Sequence, residues 1–341
     1  MQDAAQVVRV NSVVQTVQGK SGYPYWKWPI VIGLSGFLLY LALRGVEWRR
    51  VGSIVAHCRL TYLLLACSCG TLSYLVRAMR WRILLNAKEK LFYTTVLWAS
   101  SVGYLANNYL PARAGELVRT AMISSRSRLS KTYVFTTAMT ERVIEFVILV
   151  LMASLLSLTL PHRPEWMGRL MLLTSVGTLG ATAFFLLLPW VDRARTGLVM
   201  RLPVGSRMKD RLHGITESVT LALIALRDPW RLFQVCGATT IVWTLDATAA
   251  VILAHALGMH LLFSVAVLLS TGLALGNALP STPGAVGIFQ FAAVKVLTPF
   301  NFTQTEAIAY ILVAQAAGYI VITALGLLGL WRYRVAGARL G

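Results

Sequence analysis

A chain of 341 residues, 57% hydrophobic and only 13% charged, with a mean hydropathy of +0.65, is too apolar for an ordinary soluble protein, in which about a quarter of residues carry charge. The 32 Lys+Arg against 13 Asp+Glu give a formal charge of +19, but the basic residues sit between long apolar runs, as loop anchors do in membrane proteins. The composition therefore points to an all-α polytopic membrane protein and away from a nucleic-acid partner.

Residues 1–27 read as a polar N-terminal tail without the apolar core of a signal peptide. A spanning helix needs about 20 mostly apolar residues. Candidate segments are 28–44, 60–79, 91–110, 133–160, 167–189, 231–257, 261–279 (continuing into 284–298) and 306–331. Trp26, Trp28, Trp81, Trp190, Trp230 and Trp331 fall near their ends, as an aromatic belt requires. Cys58, Cys67, Cys69 and Cys236 have no metal-ligand or redox spacing, so neither a disulfide nor a metal site is expected, and no cofactor.

Positive charge sets the topology. Basic clusters lie at 77–90, 119–131, 193–211, 227–231 and 332–339, whereas 161–166, 258–262 and 299–305 contain one basic residue, Arg163. Full crossing by every segment would scatter the clusters over both sides. If 91–120 and 261–300 dip in and return, all five become cytoplasmic, as the positive-inside rule demands. The expected fold is about six spanning helices plus two oppositely oriented re-entrant hairpins, with both termini in the cytoplasm. Arg44, Arg49, Arg50 and Arg59 then lie outside, on an interfacial helix at best.

The division is a membrane half at 28–189 with hairpin 91–120, a basic cytoplasmic linker and amphipathic helix at 190–230, a second half at 231–332 with hairpin 261–300, and a basic tail at 333–341. Residues 209–227 carry apolar positions at helical spacing, which suits either a helix on the inner leaflet or a cytoplasmic cap.

The two hairpins resemble each other. Asn108-Tyr-Leu-Pro-Ala-Arg-Ala-Gly115 aligns with Asn277-Ala-Leu-Pro-Ser-Thr-Pro-Gly284 without a gap, and the same register pairs Ser101 with Ser270 and Gly103 with Gly272. Oppositely oriented repeats with broken helices are a feature of secondary transporters. Pro111, Pro280 and Pro283 break the helices. Each restarting helix offers unpaired N–H groups to an anion, and Arg113 adds a planar donor fork suited to phosphate. Asn108, Asn277 and Gly284 flank the breaks. Glu116 and Arg119, three residues apart, fit either an ion pair at the cytoplasmic mouth or a substrate contact.

Glu141, Arg142 and Glu145 interrupt an apolar run, and ionisable groups at membrane depth are functional candidates by default. Glu141 and Glu145 share a helix face. Arg142 can pair with one of them, leaving the other to exchange a proton or meet a cation. Asp246, the one acid inside the 231–257 segment, is a weaker candidate for coupling or gating. No HExxH, Walker A or GxSxG motif is present, so the chain reads as no enzyme, and an intramembrane transferase is disfavoured.

Trp81-Arg-Ile-Leu-Leu85, Asn107-Asn-Tyr-Leu-Pro-Ala-Arg-Ala-Gly-Glu116 with Arg119, Glu141-Arg142 and Pro280-Ser-Thr-Pro-Gly-Ala-Val-Gly287 resemble the lysylphosphatidylglycerol synthase transmembrane-region (flippase-like) family over residues 28–332. Members resemble the flippase half of the bacterial multiple peptide resistance factor, which moves aminoacylated phospholipid between leaflets. The resemblance implies that Asn108, Arg113, Glu116, Arg119, Glu141, Arg142, Pro283 and Gly284 matter. The family's second motif runs Pro-Gly-Gly-x-Gly-x-x-Glu, whereas this chain has Ala285 and Gln290, which removes a titratable group. Aminoacyl-lipid synthesis is not expected of this chain alone.

The function expected is therefore translocation of a phospholipid or other polar lipid between leaflets of the bacterial inner membrane. The alternative is a non-transporting accessory or scaffold subunit for a lipid- or glycan-modifying enzyme. The partners this allows are the lipid, a second copy of the chain, or a separate lipid-modifying enzyme.

Overall fold

The computed structural model describes residues 27–110, 114–160, 228–278 and 283–338, with scattered positions between 168 and 183. Every regular element among them is helical: α1 (Lys27–Leu43), α2 (Trp48–Ala56), α3 (Leu60–Leu85), α4 (Tyr93–Tyr109), α5 (Gly115–Ser124), α6 (Lys131–Ser157), α7 (Pro229–Ala256), α8 (Phe263–Ala278), α9 (Ile288–Leu297) and α10 (Gln304–Ala338). Short 3₁₀ turns at Pro283–Ala285 and Thr298–Phe300 flank α9. The linker and amphipathic helix expected at 190–230 lie almost wholly outside the described residues, as do Pro111, Arg113, Pro280 and most of 167–189.

Three described helices are long and apolar enough to cross a membrane: α3, α7 and the Gln304–Tyr333 part of α10. At about 1.5 Å per residue, the 26 residues of α3 reach about 39 Å, more than the ~30 Å hydrocarbon core. Many of their large apolar side chains point outward, with Ile320 70% exposed and Leu64 and Leu327 also open. In water such a surface would aggregate; against lipid tails it needs no cover. α6 is as long, but three charged residues interrupt it.

Helix ends follow local chemistry. Ser130 caps α6 by accepting a hydrogen bond from Tyr133 N. Thr303 and Glu306 form a reciprocal capping box at the start of α10, Thr303 N donating to Glu306 Oε2 at 2.9 Å and Glu306 N to Thr303 Oγ1 at 3.2 Å. α4 ends at Tyr109, two residues before Pro111, since proline disfavours helix in the residue before it.

By contacts the chain divides into two compact units that do not follow sequence order: residues 1–72, 97–121 and 245–341, and residues 73–96 and 122–244. In the first, α8 packs on α9, and α9 packs on α1 and α10. Small residues let these helices close up: Gly276 lies against Ile288, and Gly326 of α10 against Leu105 of α4. α2 is docked on the start of α10, where Arg50 meets Glu306 at 3.3 Å and Glu47 N donates to Thr305 Oγ1. Of α2 only Val51 is buried, and Trp48 is exposed. Arg49 and Arg50 thus ride on a short surface helix.

The second unit holds the C-terminal half of α3, α6 and the first half of α7. α3 and α6 run antiparallel, because partners on α3 fall in number as those on α6 rise. Trp81 Nε1 donates to Thr137 Oγ1, Arg80 to Glu141, and Arg77 to Glu145. Two sequence expectations change here. Helix α3 continues past residue 79 to Leu85, so Arg77 and Arg80 are side chains of a helix and not cytoplasmic loop anchors. Trp81, expected in the aromatic belt, is fully buried, whereas Trp230 and Trp331 are exposed as a belt requires.

Candidate functional site

The second unit concentrates charge where the chain is otherwise apolar. Arg80 is 0% exposed and Glu141 1%. Arg80 donates from Nε and Nη2 to Glu141 Oε1 at 3.2 and 2.7 Å, and from Nη2 to Glu145 Oε1 at 2.9 Å. Its remaining arm reaches Thr239 Oγ1 of α7 at 3.2 Å. Glu145 also receives Arg77 and, at 2.8 Å, Arg142. The Arg77 guanidinium lies 5.3 Å from the Trp243 ring centroid, and Trp243 Nε1 donates to the Glu145 carbonyl oxygen. Taking ions out of water is costly and is offset only by close, fully hydrogen-bonded partners. The network supplies them.

Arg142 does pair with one carboxylate, Glu145. The other, Glu141, is not left open, because Arg80 covers it. Of the two roles expected for the second carboxylate, exchanging a proton or meeting a cation, the structure shows a cation beside it, Arg80. Arg77 and Arg80 were missed because residues 77–90 read as a loop. The available signal was the apolar continuation Trp81-Arg-Ile-Leu-Leu85, which extends the helix and brings Arg77 and Arg80 onto one face.

In the first unit the two expected hairpins show matching helices. α4 ends at Tyr109 and α8 at Ala278, the same place in the repeat register. Glu116 and Arg119 form an ion pair within α5, both buried. Asn108 is half-buried in the last turn of α4 and Asn277 exposed in the last turn of α8. The residue that closes the first break is the neighbouring Asn107, whose Oδ1 accepts from Gly115 N at 2.9 Å. Gly115 is there because a β-carbon would overlap the Gly103 carbonyl oxygen.

The second break is built differently. Pro283 opens the 3₁₀ turn, and Gly284 and Ala285 follow at φ 73° and 52°, in the left-handed region. Gly287 N donates to Gln290 Oε1 at 2.7 Å, Gln290 Nε2 to Gln315 Oε1 at 2.6 Å, and Gln315 Nε2 to the Gly284 carbonyl oxygen at 3.1 Å. A carboxylate at 290 could accept from Gly287 but could not donate to Gln315. The glutamine is therefore the residue that completes this loop of amides.

Both breaks meet one face of α10. Tyr109, at the end of α4, has its hydroxyl 3.0 Å from Thr323 Oγ1 and its ring 6.2 Å from that of Tyr319. The Tyr319 hydroxyl lies over Gly284, which Gln315 also holds. Gln315, Tyr319 and Thr323 are four residues apart, so the breaks meet a stripe only about 12 Å long. Asp246 lies half-buried in the same unit, in α7.

Comparison with curated proteins and with solved structures finds no similar chain. The family model described as the lysylphosphatidylglycerol synthase TM region matches residues 28–326, most of the chain, and includes both helix breaks and the buried Arg–Glu network; the protein belongs to that family and is an integral membrane protein of helices.

Proposed function

We propose that the chain is a lipid translocase, carrying a phospholipid or other polar lipid between the leaflets of the bacterial inner membrane. The carrying observation is the meeting of both helix breaks on the Gln315–Tyr319–Thr323 face of α10, within one compact unit. Broken backbone at membrane depth is tolerated where it lines protein or a wet cavity, and helix restarts present N–H groups to anions. In this reading 91–120 and 261–300 are re-entrant hairpins of opposite orientation, and a headgroup phosphate binds near Arg113. The Arg77–Arg80–Glu141–Glu145–Arg142 network holds α3 to α6 within the second unit. Both termini lie in the cytoplasm, and the chain works as a carrier, not an enzyme.

The test is leaflet exchange. Purified protein in vesicles should accelerate movement of fluorescently labelled phospholipid from one leaflet to the other, relative to protein-free vesicles. Exchange no faster than in protein-free vesicles would overturn translocation and favour an accessory role beside a lipid-modifying enzyme.

A further inference from the structure

In the polar stripe of α10, two of the three side chains are spent on the protein. Gln315 holds Gly284 and Gln290 through its amide, and Thr323 is engaged by Tyr109. Tyr319 stands between them. Its ring leans on Tyr109 at 53°, and its hydroxyl is set so close over Gly284 that any β-carbon there would overlap it. Yet among the described residues that hydroxyl makes no hydrogen bond. Tyr319 is half-buried on a helix whose spanning stretch has a mean hydropathy of 2.1. Unlike the buried, unpaired hydroxyls of Ser35, Ser73, Ser100 and Ser124, the Tyr319 hydroxyl keeps accessible surface, so a partner from outside the protein can reach it. The Gly284 carbonyl beneath it already accepts from Gln315. A phenolic O–H in this place can donate to an oxygen acceptor.

We propose that Tyr319 is a headgroup-contact residue, its hydroxyl donating to an oxygen of a lipid headgroup seated beside Gly284. This rests on the reading of the chain as a lipid carrier and adds a binding residue to it. No charged side chain belongs to the stripe, so the chemistry it recognises is an oxygen acceptor as such, whether a phosphoryl oxygen or a sugar hydroxyl. Gly284 keeps the approach open because it has no side chain, and Tyr109 supplies a second aromatic wall.

The purified full chain in detergent would be titrated with phosphatidic acid, with monoglucosyl diacylglycerol and with the parent diacylglycerol, following the midpoint of thermal unfolding. At least one of the first two should stabilise the wild type more than diacylglycerol, and which one does so identifies the source of the acceptor. Tyr319→Phe removes only the hydroxyl. It should shift half-saturation by that lipid about fivefold upward, the equivalent of about 1 kcal/mol for one hydrogen bond. Tyr310→Phe, on the same helix as Tyr319, is the control, because the Tyr310 hydroxyl donates to the Ala250 carbonyl oxygen of α7 at 3.4 Å; it should leave half-saturation unchanged. Unchanged half-saturation in Tyr319→Phe, an equal shift in Tyr310→Phe, or no preference of the wild type over diacylglycerol would each overturn the assignment. Binding in detergent is independent of leaflet exchange. A Tyr319-dependent affinity without exchange counts against translocation alone, and exchange with a Tyr319-independent affinity counts against this contact alone.

Discussion

Arg80 is the residue on which the second unit depends, because it is fully buried and bonds Glu141, Glu145 and Thr239 together. Removing one member of a buried ion pair leaves the other charge uncompensated, at about 3–5 kcal/mol. Arg80→Gln should therefore lower the thermal midpoint sharply, and Arg80→Gln with Glu141→Gln should recover much of the loss. Arg142→Gln should be milder, since its side chain is 36% exposed; equal losses at the two arginines would sink this ranking. Arg113 lies outside the described residues, and its proposed role follows from its charge and planar donor fork. Arg113→Ala should slow exchange of anionic lipid more than Arg113→Lys, which keeps the charge but loses the donor fork. Wild-type exchange by Arg113→Ala would remove it from the mechanism.

The two helix breaks differ in how tightly their backbone is specified. At the first, Gly115→Ala would drive a methyl into the Gly103 carbonyl and the Asn107 side chain, and overpacking of this kind costs about 1–3 kcal/mol. At the second, Ala285 already sits at φ 52°, where an L residue is strained by about 1–2 kcal/mol. Ala285→Gly relieves that strain at the price of about 0.5–1 kcal/mol of unfolded-state entropy. Thermal unfolding should show Gly115→Ala destabilised and Ala285→Gly unchanged or slightly more stable. A clear loss in Ala285→Gly would show that the alanine methyl is needed for packing.

For the whole molecule, the proposed topology rests on where the basic residues lie. Charge still supports re-entrant hairpins, although Arg77 and Arg80 no longer belong to the count of loop anchors; Lys88 and Lys90 remain, and both are exposed. Ser125→Cys and Gly205→Cys should both react with an impermeant thiol reagent only from the cytoplasmic side, in a background lacking the native cysteines. Reaction of either from outside would discard the hairpin topology. The second unit is assembled from stretches on both sides of residue 121, so cutting the chain into its sequence halves should not yield two independently folding pieces.

The helices were legible in the sequence because lipid imposes a simple rule: a long apolar run must satisfy its own backbone, and it does so as a helix. Segments 60–79, 91–110, 133–160 and 306–331 all appear, with ends displaced by a few residues, and the repeat register places the ends of α4 and α8 in equivalent positions. Single side chains were a different matter. Arg80 carries the same charge as a loop arginine, and nothing local distinguishes an anchor from the buried partner of a glutamate 61 residues away. Likewise Asn107 and not Asn108 closes the first break, and Tyr319 and Gln315 look like ordinary members of an apolar helix until Gly284 is laid against them. Sequence determined which segments are helical and where they break, since that depends on short-range hydrophobicity and proline. Only the tertiary structure decided which polar groups face one another, because a buried charge or amide is satisfied by whatever distant residue the packing brings within hydrogen-bond reach.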